Sequence, residues 1–229
     1  MDANIQAAAA RLSRRLKGNA KTVTVAESCT GGLLASCLTD IAGASSWFQR
    51  SYVTYANQAK IEELGVDPEE LAKKGAVSAQ VAIQMAQGAL RRAKADFAIS
   101  VTGIAGPTNE GSKKPVGTVY VGIASQTWAN AIRTQIGGSR AENKAGFVHF
   151  ALLTAMDCWD RAFERLSKEK AQEIQEQQDA LRQQQEKEAE RAQREEAARE
   201  QSPWQDEAWT APNDGEEIGA EVEWTDSEE

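Results

Sequence analysis

Four side chains capable of chemistry stand side by side early in the chain. Glu27, Ser28, Cys29 and Thr30 bring a carboxylate, two hydroxyls and a thiol together, and Gly31-Gly32 follows at once. Hydroxyl or thiol in such a turn can act as a nucleophile, provided a base takes its proton. A triad of the serine–histidine type is excluded on the wall of candidates, since the single histidine, His149, lies in Phe147-Val148-His149-Phe150 and reads as a packing residue of a helix. Lysine is the other base available, once desolvation lowers its pKa. Lys60 is the candidate; its bland alternative is a solvated helix lysine. Cys29 rivals Ser28 as nucleophile because thiols are intrinsically stronger and a helix start favours the thiolate. The plainest alternative for the whole turn is an ordinary helix cap by Ser28 or Thr30. Three further groups sit in comparable places: Tyr55 after a β-prone run, Thr102, Gly103 and Gly106 in a glycine-rich stretch, and Arg140 after Gly137-Gly138.

The elements that must hold these residues follow from periodicity. Thr22–Val25 is β-branched and short, and Leu33, Leu34, Cys37, Leu38 and Ile41 recur at helical spacing, so the first cluster lies on a strand–turn–helix unit. Backbone N–H groups at the start of such a helix favour an anion, which makes Thr30, Gly31 and Gly32 candidate substrate contacts. Residues 3–17 read as an opening helix closed by Gly18. Ser51–Tyr55 reads as a second strand, running into a short helix that Asn57 can cap and Gly65 ends. Ser78–Ala95 is the clearest middle helix. Asp96–Val101 is a continuous apolar run of the interior-strand kind and empties into Thr102–Pro107, read as a loop. Glu110–Lys114 is a polar loop, Val116–Ser125 and Ala129–Ile136 are two strands joined by a turn, and a helix begins near Ala141. Strands alternating with helices predict a three-layer α/β/α sandwich, and the adjacent late strands make its sheet mixed. The loops at Glu27, Thr102 and Gly137 all follow strands, and such loops meet at one sheet edge.

Charge divides the chain. Residues 1–165 carry a net charge of +5 and residues 166–229 one of −13. The mildly basic front suits a small anionic ligand, and no basic stripe interleaved with aromatics points to nucleic acid. Three cysteines without framework spacing argue against a disulfide scaffold, and the lack of a Cys/His cluster argues against a metal site. No apolar run is long enough to span a membrane, and the expected setting is the cytoplasm. Three parts are expected: a catalytic domain over 1–165, a Gln/Glu/Arg-rich helical extension over 166–201 that fades into disorder, and an acidic disordered tail over 202–229. Trp204, Trp209 and Trp224 give that tail possible anchors for a protein partner.

Taken together the motifs resemble the CinA C-terminal domain family, which includes stand-alone nicotinamide-mononucleotide deamidases. The resemblance is carried by Ala26-Glu27-Ser28-Cys29-Thr30-Gly31-Gly32, Tyr55-x-Asn57-x-x-Lys60, Gly75-Ala76-Val77-Ser78, Thr102-Gly103-Ile104-Ala105-Gly106-Pro107 and Lys114-Pro115-Val116-Gly117-Thr118-Val119, in order over roughly residues 5–160. It implies an oligomeric α/β/α domain that hydrolyses the carboxamide of nicotinamide mononucleotide (NMN), in pyridine nucleotide salvage, without metal or other cofactor. It places the nucleophile on Ser28, its acidic neighbour on Glu27, the base on Lys60 with Tyr55 nearby, the glycine loop on Thr102–Gly106 and the substrate-binding arginine on Arg140. The chain departs from the family where Ser139 replaces a frequent Asp and Lys144 a frequent Arg. A catalytically inactive nucleotide-binding module with a partner-docking tail is the alternative.

Overall fold

A computed structural model describes residues 2–200 apart from Glu110. The chain runs α1 (Ala3–Gly18), β1 (Val23–Glu27), α2 (Leu33–Thr39), β2 (Phe48–Val53), α3 (Asn57–Leu64), α4 (Pro68–Lys74), α5 (Ala79–Ala93), β3 (Phe97–Gly103), β4 (Thr118–Ser125), β5 (Ala129–Gln135) and α6 (Arg140–Glu200). The five strands form one sheet in the order β2-β1-β3-β4-β5. β1 pairs parallel with both β2 and β3, while β3–β4 and β4–β5 are antiparallel. The predicted α/β/α sandwich with a mixed sheet is the observed fold.

Alternation along the central strands sorts side chains between two unlike faces. Val23, Val25, Phe97, Ile99, Val101, Val119, Val121 and Ile123 are large and pack with α1, α2 and the first part of α6 in the main core. The opposite face is built from small residues, with Ala98 and Ala124 against Ala86 and Leu90 of α5. Small side chains let α5 come close. Ser100 donates its hydroxyl to the Ala82 carbonyl at 2.6 Å, and a Cβ on Gly122 would stand 2.3 Å from that same carbonyl oxygen. α1 is tied to α6 by a two-bond pair, Arg15 Nε and Nη2 donating to Asp160 at 2.8 and 2.7 Å.

Strand direction explains where the functional loops gather. β5 is two antiparallel steps from β3 and therefore runs with it, so the chain leaves β1, β2, β3 and β5 at the same sheet edge. Ser28, Thr54–Tyr55, Gly103 and Arg140 all emerge there. Two boundaries differ from the sequence expectation in ways that matter. Thr102 and Gly103 belong to β3, paired with Tyr120 and Val119, because the β4 partner continues past Val101 and sustains the ladder. β2 begins at Phe48 and ends at Val53, earlier than Ser51–Tyr55, because Thr54 and Tyr55 turn their carbonyls toward Lys60. Asn57 is the first residue of α3 and Ala56 its cap, with no side-chain cap bond.

The described residues divide after Lys168. Within Glu169–Glu200 the helix persists where fading into disorder is expected from composition. Helix-forming Ala, Glu, Gln and Arg and pairs one turn apart supply local support, as in Arg182–Glu186 and Arg191–Glu195. Trp204, Trp209 and Trp224, and with them the expected acidic tail, lie outside the described residues. Among the described residues no helix is long and apolar enough to cross a membrane.

Gly122→Ala is expected to lower stability by about 1–3 kcal/mol, because backbone carbonyl and sheet would have to part to admit the methyl group. Urea unfolding followed by circular dichroism measures it; an unchanged midpoint contradicts the close packing of α5.

Candidate active site

Local geometry at the end of β1 is fixed by a buried carboxylate. Glu27 is fully buried, and its position on the strand points it toward α2. Its Oε2 accepts N–H bonds from Gly32 and Leu34, both at 3.0 Å, and its Oε1 accepts one from Ala35 at 2.8 Å. The side chain thereby supplies the acceptors that the first turn of α2 lacks, since its cap residue is Gly32 and has none. Gly31 and Gly32 take φ of +61° and +96°, the left-handed values that bend the chain from Ser28 back under Glu27. Gly31 N–H closes the turn onto the Ser28 carbonyl, and Ser28 N–H holds the Val101 carbonyl of β3. The remaining N–H groups of the turn, those of Cys29 and Thr30, donate to no backbone carbonyl or carboxylate.

A cavity of about 580 Å³ opens beside this turn. Ser28, Cys29, Tyr55, Lys60, Thr102, Gly103, Gly106 and Arg140 all line it, so the structure brings together eight residues singled out along 113 positions of sequence. Glu27, Thr30, Gly31 and Gly32 do not line it. Their place is behind the cavity wall, where the glycines and the carboxylate shape the turn; Thr30 is buried, and its hydroxyl finds no partner among the described residues. The cap expected of Ser28 or Thr30 is not made, Glu27 having taken that position. His149 is half-buried on α6 and does not line the cavity.

Lys60 is the unusual residue. It is 1% exposed, and no carboxylate pairs with it among the described residues. Its ammonium nitrogen donates to the Thr54 carbonyl at 2.9 Å and the Tyr55 carbonyl at 3.0 Å. Burial lowers its pKa from 10.5 to about 8. Burial acts on Cys29 in the opposite sense, pushing the thiol up to about 12, with Glu27's charge adding to the rise. Cys29 is therefore a thiol and a poor nucleophile at neutral pH, although it shares the cavity with Ser28.

Arg140 is the first residue of α6 and is set by a capping box the sequence reading passed over. Ser139 N–H donates to Glu142 at 2.7 Å, and Glu142 N–H returns a longer bond of 3.4 Å to the Ser139 hydroxyl. The signal, Ser-x-x-Glu at residues 139–142, was legible. From this cap the guanidinium donates through Nη1 to the Gly106 carbonyl and through Nη2 to the Tyr55 hydroxyl at 2.7 Å. Asn143, one turn nearer the core, donates to both the Ala105 and Gly138 carbonyls at 3.1 Å and so pins the two loops together. Thr102 has its hydroxyl on the Ala76 carbonyl at 2.8 Å, which holds the Gly75–Val77 segment against the cavity.

Fold and cavity define an α/β/α domain with a serine, a desolvated lysine and a cationic wall at the carboxyl edge of its sheet. The chain belongs to the CinA C-terminal domain family, which matches residues 5–159. It is 44% identical over 154 residues to the nicotinamide-nucleotide amidohydrolase PncC of Escherichia coli K12, an alignment covering 67% of this chain and 93% of that one. A CinA-like protein of Chlorobaculum tepidum is 52% identical over 136 residues, 57% of this chain and 32% of its own length. Among solved structures, the competence/damage inducible protein CihA of Agrobacterium tumefaciens superposes with a TM-score of 0.67 at 40% identity, covering 70% of this chain and 98% of that one.

Glu27→Gln replaces one acceptor oxygen by an N–H donor facing backbone N–H groups. The expected cost is about 2–4 kcal/mol of stability, read by urea unfolding, with activity falling because the Ser28 turn loosens. A variant as stable as the parent contradicts the capping role.

Proposed function

We propose that the protein hydrolyses the carboxamide of NMN to nicotinate mononucleotide and ammonia, using Ser28 as nucleophile and Lys60 as base. The observation that carries the chemistry is the state of Lys60. A neutral amine has two N–H bonds and one lone pair. With both N–H bonds directed to the Thr54 and Tyr55 carbonyls, the lone pair is left for a proton from the cavity that Ser28 also lines. The substrate class is supported by the name of the Escherichia coli relative, a nicotinamide-nucleotide amidohydrolase. The binding-module alternative has no support among the relatives.

In the proposed cycle Ser28 Oγ gives its proton to Lys60 and attacks the carboxamide carbon. The tetrahedral oxyanion is stabilised by the N–H of Cys29, which the turn leaves over at a residue that lines the cavity. Protonated Lys60 returns the proton to the departing nitrogen, and the C–N bond breaks to release ammonia. A water then loses its proton to Lys60 and attacks the ester on Ser28, which frees the carboxylate product and restores the serine. Arg140 holds the substrate phosphate with the N–H groups not used on Gly106 and Tyr55. Tyr55 sets the direction of that guanidinium. Glu27 acts on the reaction only through the shape of the turn and is a positioning residue. The proposed setting is cytoplasmic, as part of pyridine nucleotide salvage.

Purified protein is expected to release ammonia from NMN at the same rate with and without EDTA. Ser28→Ala and Lys60→Met should each lower that rate at least about a thousandfold, and the double variant no further, since residues of one catalytic unit fail together. Cys29→Ala should keep most of the rate. No ammonia from folded parent protein contradicts the activity, and an inactive, folded Cys29→Ala moves the nucleophile.

A further inference from the structure

Beyond Lys60 and Arg140, four more lysines line the cavity. Lys73 and Lys74 come from the last turn of α4, and Lys113 and Lys114 from the connection between β3 and β4. Among the described residues no Asp or Glu lines it, and none of the four has a carboxylate partner. Lys73, Lys74 and Lys113 are exposed; Lys114 is half-buried, its ammonium 6.0 Å from the centre of the Tyr120 ring. Exposure is thus graded with depth: Lys60 is sealed into the wall, while Lys73, Lys74 and Lys113 stand in solvent.

A helix dipole favours lysine in the last turn of α4. It does not ask that both lysines border a cavity, and it has no bearing on Lys113 and Lys114, which are outside any helix. Four like charges around one opening repel each other in the free protein, and an anion placed among them removes that repulsion. In the function proposed above, the single phosphate of a mononucleotide is met by the Arg140 N–H groups not used on Gly106 and Tyr55. A cavity of about 580 Å³ lies mid-range for ligand sites, and a mononucleotide fills roughly half of such a volume.

We propose that the outer half of the cavity binds a second phosphate linked to the first, so that the site takes a pyrophosphate-bridged dinucleotide with its nicotinamide end toward Ser28. The nicotinamide end and the first phosphate's place at Arg140 rest on the function proposed above; the cluster of four lysines does not. Lysines suit this task as point charges on long stems that follow a flexible diphosphate, where an arginine fork would fix one orientation.

Calorimetric titration of the full chain with inorganic pyrophosphate and with inorganic phosphate tests the subsite without turnover. Pyrophosphate is expected to bind about tenfold more tightly at low salt, the order that several exposed charge contacts reach together. Lys73→Gln/Lys74→Gln and Lys113→Gln/Lys114→Gln should each erode that preference while circular dichroism reports an intact fold. Equal affinity for the two anions, or a preference unchanged in both double variants, overturns the subsite. Nicotinamide adenine dinucleotide should displace bound pyrophosphate at lower concentration than ADP does. ADP displacing it equally well overturns the dinucleotide. Ammonia release from NMN by the parent protein is scored separately, so failure of the proposed activity leaves the pyrophosphate result standing.

Discussion

A lysine side chain that no carboxylate pairs with among the described residues, sealed into the cavity wall by two main-chain carbonyls, is the constraint on which the site depends. Taking an ammonium out of water is costly, and two neutral carbonyls offset only part of the cost, so the group responds by holding its proton less tightly. The backbone around it is arranged accordingly. β2 stops at Val53, Thr54 N–H reaches across to the Glu27 carbonyl, and the Thr54 and Tyr55 carbonyls are then free to turn toward Lys60. α3 is short, and its Lys60 carbonyl is used again by Val66 N–H just past the helix end. A leucine or methionine would fill the same space at less cost to stability. An amine there is what the proposed proton transfer requires.

Glu27 shows the opposite solution to the same difficulty. It is as deeply buried as Lys60, yet its two oxygens receive three N–H bonds at the start of α2. One buried ion is satisfied and builds the turn; the other is left short of a counter-ion and lines the cavity. Ser28 lies between the two, held at its N–H by β3 and at its carbonyl by Gly31. The position of Ser28 therefore depends on neighbouring strands and one helix terminus and not on the flexibility of a loop.

Much of this was legible in residue order. β-branched Thr22–Val25 followed by Gly31-Gly32 and a helical repeat gives a strand–turn–helix unit with little ambiguity, and strands followed by candidate loops gives a common edge. What was not legible is instructive. β2 is an edge strand, largely exposed, so burial does not impose the alternation that marks a strand boundary. Thr102 and Gly103 extend β3 because β4 pairs with them, a long-range cause absent from local composition. The duty of Glu27 depends on which way a strand faces, and that of Lys73, Lys74 and Lys113 on what lies opposite them; by spacing they are ordinary solvated charges. Ser139 makes the cap that presents Arg140, its hydroxyl accepting an N–H at the helix start.

The most direct check on a neutral Lys60 is the pH dependence of kcat/KM for ammonia release from NMN, followed from about pH 7, where the substrate phosphate is already largely dianionic, to about pH 9.5. Only the deprotonated amine can accept the Ser28 proton, so lowering the pKa from 10.5 to about 8 brings the rise in rate into this range. The expected profile climbs tenfold per pH unit below the pKa, bends near 8 and levels above it. A profile that is flat throughout, or one still climbing tenfold per unit at its upper end, contradicts a desolvated lysine as the base.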